Sequence, residues 1–339
     1  MSINKNIENI RLKSTLFLLF VTMIWGWTFI WMKQSTNAAS NILGENLAEE
    51  LEQIIVGFFV LMRFGIAAFI FMVVYPPARA GFKDKEIWRG GLILGSLAWG
   101  GFFFQMLAIP NISPAVSAFL TSLYVIFTAL IGVLMGKQRV TWILGVGIFL
   151  ATFGAGILGL KEDQTVFDLF ITFGLPEWLT ILCALIFGAH IIATDEITKK
   201  VDALQVTGSM LVVVSLLSLL TFFLIVIRFY YLDGDISYVD NVVLLITKPS
   251  FLFPLLMCAI LGSLLALLLL NIYQKHLSPV RAAILYALEP VWAAIFSITL
   301  GLENTTKWLF AGAICLLLGN LIVELRNTAD DKKTIEEAE

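Results

Sequence analysis

Residues 113–160 read SPAVSAFLTSLYVIFTALIGVLMGKQRVTWILGVGIFLATFGAGILGL, and this stretch can be laid without a gap on residues 278–325. Ser113 meets Ser278, Pro114 meets Pro279, Ala118 meets Ala283, Gly136 meets Gly301, Thr141 meets Thr306 and Gly154 meets Gly319. About a dozen of the paired positions are identical. Identity between two apolar stretches carries little by itself. The matched Ser-Pro helix starts and glycine turns carry more, because they punctuate the chain at the same places in both copies.

Outward from this stretch, apolar runs of about 20 residues recur from Ser14 to Leu325, the length that crosses a hydrocarbon core roughly 30 Å thick. The chain of 339 residues is 59% hydrophobic and 14% charged, with a mean hydropathy of +0.91. Soluble domains carry about a quarter charged residues, so a soluble enzyme is excluded. No basic block points to nucleic acid. In lipid every backbone amide must bond within its own segment, which makes each run a helix. A β-barrel would show alternating ten-residue segments instead.

These runs predict an all-α polytopic membrane protein with ten spans, near 14–34, 54–75, 89–108, 114–135, 141–160, 176–196, 203–231, 251–273, 279–300 and 306–325. The repeat unit is then five spans. An odd number makes the second copy enter the bilayer from the opposite side, the inverted arrangement of secondary carriers, whose sites lie near the midplane between the halves. The expected division is a first repeat at 1–160, an external linker at 161–175, a second repeat at 176–325 and a disordered cytoplasmic tail at 326–339. Residues Ser35–Gln53 form an acidic loop expected to hold a short external helix leading into span two.

Charge fixes the orientation. With the N-terminus in the cytoplasm, basic residues favour the inner side by about three to one along the whole chain. Both termini are then cytoplasmic, and the expected location is the plasma (inner) membrane. Cys183, Cys258 and Cys315 all fall in apolar runs without ligand spacing, so neither a disulfide framework, a metal site nor a cofactor is expected.

Span one reads Trp25-Gly26-Trp27-Thr28-Phe29 with Lys33 further on, span two holds Arg63-Phe64, and span nine runs from Ser278-Pro279 to Leu288-Glu289-Pro290-Val291 and Gly301-Leu302-Glu303. In this order the chain resembles the EamA-type transporters of the drug/metabolite transporter superfamily, from Ser14 to Leu325. The resemblance implies ten spans in two inverted repeats. Spans one to four and six to nine would surround a central cavity, with five and ten at the periphery. It also implies export or exchange of small metabolites. The sequence departs from the family pattern at Leu123-Tyr124-Val125, where span four lacks the proline, and in the residue inserted at Gly301-Leu302-Glu303.

Arg63 sits near the middle of span two, where an ionisable side chain costs about 2.5–3.5 kcal/mol unless it faces protein or water. It is either an anchor for a carboxylate or phosphate, or a clamp on backbone carbonyls or on Glu289. Glu289 is the one deep carboxylate of the second half and the coupling candidate, or else a fixed ion-pair partner. The two are expected close together as a charged layer. His190 aligns with Thr28 when Gly188 is laid on Gly26. It serves as a substrate or proton contact, or simply bonds a neighbouring span. Lys33 and Asp195, at equivalent places, are gate-charge candidates or snorkel to headgroups. Trp25, Trp27, Trp99, Tyr124 and Tyr286 are deep enough to line a cavity, or pack against lipid. Thr28, Gln105 and Thr121 complete the candidate lining, with helix-to-helix glue as the alternative for the uncharged groups.

The function these readings favour is a secondary transporter, an exporter or exchanger. It would move a small polar or amphipathic metabolite, such as an amino acid, by alternating access. From another class, a non-transporting sensor, scaffold or lipid-handling protein on the same fold stays open. No Walker motif or nucleophile–base pair supports an enzyme. The expected partners are the small-molecule substrate and the lipid bilayer. The glycines of spans five and ten either join a homodimer or pack within one chain.

Overall fold

The computed structural model describes residues 2–44, 49–136, 141–158, 160, 162–166, 174–233, 242–302, 305–319 and 322. Among the described residues there is no strand. The first half holds α1 (Ser2–Leu43), α2 (Glu49–Val74), α3 (Lys85–Ala108), α4 (Pro114–Thr121), α5 (Tyr124–Leu134) and α6 (Trp142–Leu158). The second holds α7 (Leu175–Thr198), α8 (Ala203–Asp233), α9 (Pro249–Met257), a π-helix (Cys258–Leu265), α10 (Ala266–Tyr273), α11 (Pro279–Tyr286) and α12 (Glu289–Thr299). A final apolar helix, α13, covers Lys307–Gly319. Among the described residues, seven runs of helix are long and apolar enough to cross a membrane: Glu8–Leu43, Leu51–Val74, Lys85–Asn111, Pro114–Leu134, Leu175–Thr198, Ala203–Tyr231 and Pro249–His276.

Helix ends follow local chemistry. The Ser113 hydroxyl accepts from the Val116 amide at 3.2 Å and Pro114 occupies the first turn of α4, so the Ser-Pro pair acts as a cap and a preset first residue. Asp84 caps α3 by accepting from the Glu86 amide at 2.8 Å. At the end of α2, Pro76 and Pro77 stop the helix, and the Arg79 guanidinium donates twice to the Met72 carbonyl, at 3.0 and 2.8 Å.

Three features differ from the sequence expectation. The stretch after Ser35 is not a loop with a separate short helix: α1 continues unbroken to Leu43, and α2 has begun by Glu49. Ala38 and Ala39 are buried, and the Thr36 and Ser40 hydroxyls donate back to the Lys33 and Thr36 carbonyls, so packing and back-bonding carry the helix on through a stretch of modest propensity. The fourth segment of each half is broken at the same place, between Thr121 and Tyr124 and between Tyr286 and Glu289. Both breaks close with tight i→i+3 bonds, Leu123 N to Leu120 O at 3.2 Å and Leu288 N to Leu285 O at 3.1 Å. Finally, the π-helix interrupts the run from Pro249 to His276, where the sequence predicts a plain span.

The halves clasp each other. A Cβ added at Gly26 on α1 would stand 2.6 Å from Trp292 Cβ and 3.0 Å from the Ala293 amide on α12. A Cβ added at Gly188 on α7 would stand 2.8 Å from Phe127 Cβ and 3.1 Å from the Thr128 amide on α5. Phe127 and Thr128 lie 165 positions before Trp292 and Ala293, so each half's first helix rests on the other half's fourth segment at the same point. Between them, α3 packs on α7 and α8, and α2 on α8. At the rim, a Cβ at Gly154 of α6 would meet the Gly312 carbonyl of α13 at 2.6 Å. The close approach expected of these glycines is therefore made within one chain at this position.

Candidate functional site

One cavity lies where the halves meet. Trp25, Thr28, Phe102, Gln105, Thr121 and Tyr124 of the first half line it, with Phe187, His190, Ile191, Leu267, Leu270, Tyr286 and Glu289 of the second. It is partly open, and its free volume is about 40 Å³, room for a few water-sized groups as it stands. All but Ile191 fall into pairs at equivalent positions of the two repeats. Trp25 with Phe187 and Thr28 with His190 are 162 apart; Phe102 with Leu267, Gln105 with Leu270, Thr121 with Tyr286 and Tyr124 with Glu289 are 165 apart. Position obeys the repeat and chemistry does not: where one half offers a phenol, the other offers a carboxylate.

The broken fourth segments put the most polar pair in place. Thr121 and Tyr124 flank one break, and Tyr286 and Glu289 flank the other. Glu289 opens α12 and is 6% exposed, and Tyr124 Oη donates to its Oε2 at 3.4 Å. Tyr286 Oη donates to Gln274 Oε1 at 3.0 Å, and Gln274 Nε2 in turn donates to the Ile191 carbonyl at 2.7 Å. This relay ties α11 to α7 and fixes the Tyr286 ring, whose edge meets Trp25 at 5.4 Å between centroids. Trp25 Nε1 donates to the Gly262 carbonyl at 3.1 Å, inside the π-helix. His190 Nδ1 lies 3.4 Å from Thr194 Oγ1, while its Nε2 is buried without a hydrogen-bond partner. Such an orphan in a buried wall calls for an explanation.

Eight of the eleven cavity candidates, Trp25, Thr28, Gln105, Thr121, Tyr124, His190, Tyr286 and Glu289, come together here, while Trp27 stacks on Phe296 at 4.3 Å instead. Arg63 and Trp99 do not line it. Arg63 is 1% exposed; its Nε donates to Ser263 Oγ at 2.7 Å and its Nη1 to Met32 Sδ at 3.4 Å. Its guanidinium carbon stands 4.5 Å from the centre of the Phe102 ring and 5.3 Å from that of Phe64. No ion pair joins Arg63 to Glu289: Arg63 bonds Ser263 and Met32, and Glu289 accepts from Tyr124. Phe102, a lining residue, takes up the guanidinium instead, and the π-helix supplies the Ser263 hydroxyl. Trp99 stacks on Phe103 at 5.7 Å.

Neither gate-charge candidate reaches the cavity. Lys33 Nζ donates to the Ile109, Pro110 and Ile112 carbonyls at 3.1, 2.6 and 3.3 Å, so the ammonium caps the end of α3. Asp195 pairs with Lys199 one turn on at 2.7 Å. Phe102, Phe187 and Gln274 were not singled out by sequence reasoning. The repeat offset identifies Phe187 as the partner of Trp25, and Phe102 lies one turn before Gln105. Nothing local in the sequence signals Gln274.

Comparison with known proteins follows the same division. A family model described as the EamA-like transporter family matches residues 12–160 and 175–325, two segments that fit an inverted repeat. A protein of Archaeoglobus fulgidus described as an uncharacterized transporter is 25% identical over 316 residues, covering 93% of this chain and 87% of its own. One protein crystal structure superposes with a TM-score of 0.60 at 16% identity, over 93% of this chain and 97% of that one, and so shares the fold.

Proposed function

Because the chain belongs to the EamA-like transporter family, we propose that this integral membrane protein is a secondary transporter of a small polar or amphipathic metabolite, working by alternating access as an exporter or exchanger. The observation that carries this reading is the pairing of cavity residues. Twelve of thirteen lining positions are repeat equivalents, so a site at the interface of two inverted halves meets both sides of the bilayer through the same kind of wall. Counting α4–α5, α9–α10 and α11–α12 each as one span, with α6 and α13, the proposed topology has ten spans. The positive-inside bias supports cytoplasmic termini, and the plasma membrane is the proposed location.

Within this reading Glu289 is the coupling group. A carboxylate in a dry wall is neutralised either by a proton or by a cationic ligand, and exchange between the two links a gradient to transport. The test is flux in proteoliposomes across a panel of metabolites, with and without a proton gradient. Wild-type protein should accumulate at least one compound, and Glu289→Gln should lose gradient-driven uptake while keeping exchange of internal for external substrate. No flux for any compound would favour a sensor or scaffold on the same fold.

A further inference from the structure

The unequal chemistry of the paired positions narrows the ligand. We propose that the cavity takes an organic ammonium ion with an aromatic or branched apolar body, its N–H groups donating to the Glu289 carboxylate; this rests on the transporter reading above. Glu289 has one side-chain donor, Tyr124, at 3.4 Å, a long bond. Most of the carboxylate's acceptor capacity is therefore unspent. No lysine or arginine lines the cavity among the described residues. The deep cation Arg63 stands behind the wall, with Nε on Ser263, Nη1 on Met32 and its plane against Phe64 and Phe102, and only its Nη2 is left without a partner.

A carboxylate or phosphate ligand would meet Glu289 without a compensating cation, and in low dielectric that repulsion is severe. A metal ion fares no better, because no group of three His, Cys, Asp or Glu side chains that could hold one occurs among the described residues. Hard cations need six or more oxygen ligands. An ammonium on an apolar body needs little beyond one carboxylate and a large non-polar wall. Trp25 and Tyr286 meet edge to face at 5.4 Å, and Phe102 and Phe187 at 5.0 Å, so four aromatic rings make up much of the lining. Ring faces attract cations as well as apolar groups. The orphan Nε2 of His190 offers a second polar contact, as donor or acceptor according to tautomer.

Four probes that share one aromatic body test this: 2-phenylethylammonium, 2-phenylethanol, 3-phenylpropanoate and phenylalanine. Each is titrated into the purified full-length protein in detergent, and binding is read as a concentration-dependent rise in unfolding temperature. The ammonium should bind on the order of tenfold to a hundredfold more tightly than the alcohol or the carboxylate, the range expected of a charge-assisted hydrogen bond. Phenylalanine should fall below the ammonium, because its carboxylate finds no cation. Glu289→Gln should bring the ammonium down to the level of the alcohol. The wild-type ranking stands without the variant: a carboxylate that matches the ammonium, or no shift with any probe, overturns the proposal. So does Glu289→Gln protein that binds the ammonium undiminished. The same probes in proteoliposomes separate the two readings. Ammonium binding without flux of any probe would remove the transporter and keep the ligand class, whereas flux of the carboxylate alone would do the reverse.

Discussion

Lys33 shows how a residue's depth can be read from sequence while its partner cannot. Its position in span one suggested a gate or a snorkelling chain, yet its three donors meet the Ile109, Pro110 and Ile112 carbonyls. Those carbonyls are orphans of the helix end, and an apolar side chain would leave them unpaired. Lys33→Met should therefore cost about 1.5–3 kcal/mol, the range for hydrogen bonds to a charged group, seen as a lower unfolding temperature in detergent. If Lys33 were a gate, transport would change at unaltered stability. Arg63 teaches the same lesson: its cost in the bilayer was legible, but its facing was not, because only the folded π-helix brings Ser263 to its Nε at 2.7 Å. The cavity candidates fared differently. Thr28 with His190, and Tyr124 with Glu289, sit at equivalent repeat positions, so the periodicity of the sequence already held their register.

At the scale of elements, the two fourth segments are informative because they break alike from unlike sequences. Pro290 follows Glu289 in the second, whereas Tyr124-Val125 stands at the corresponding place in the first. Proline is therefore not what makes the break; packing at the interface is shared and proline is not. Pro290→Ala should leave the turn at Ala287–Leu288 in place and change unfolding temperature little, a result that hydrogen-exchange protection across 286–292 would report. Gly26 and Gly188 are the reverse case, since their Cβ positions would stand 2.6 and 2.8 Å from Trp292 Cβ and Phe127 Cβ. Gly26→Ala and Gly188→Ala should each destabilise by about 1–3 kcal/mol through overpacking, measured by thermal unfolding. An unchanged midpoint in both would mean that the clasp is loose. The π-helix was beyond sequence reasoning, because the apolar run Cys258–Leu265 reads equally well as a plain helix.

For the whole molecule, the repeat laid out in the sequence anticipated two halves, and the cavity between them follows from their clasp. Orientation is checked from outside the cell. Cysteines introduced at Glu49, Asp168 and Asp240 should react with an impermeant reagent, and those at Lys85 and Lys200 should not. Asp168 and Asp240 lie outside the described residues, so their labelling tests the charge rule alone. A reversed pattern would dismantle both the orientation and the inverted repeat. The clasp also has a consequence in time. On α5 the backbone at Phe127 and Thr128 is met by Gly188 of α7, and translation reaches the end of α7 roughly 60 residues after the end of α5. At about 5–20 residues per second this is an interval of about 3–12 s. Through those seconds the nascent first half sits in the bilayer with its fourth segment unsheltered, and lipid or an insertion chaperone must stand in for a helix not yet made.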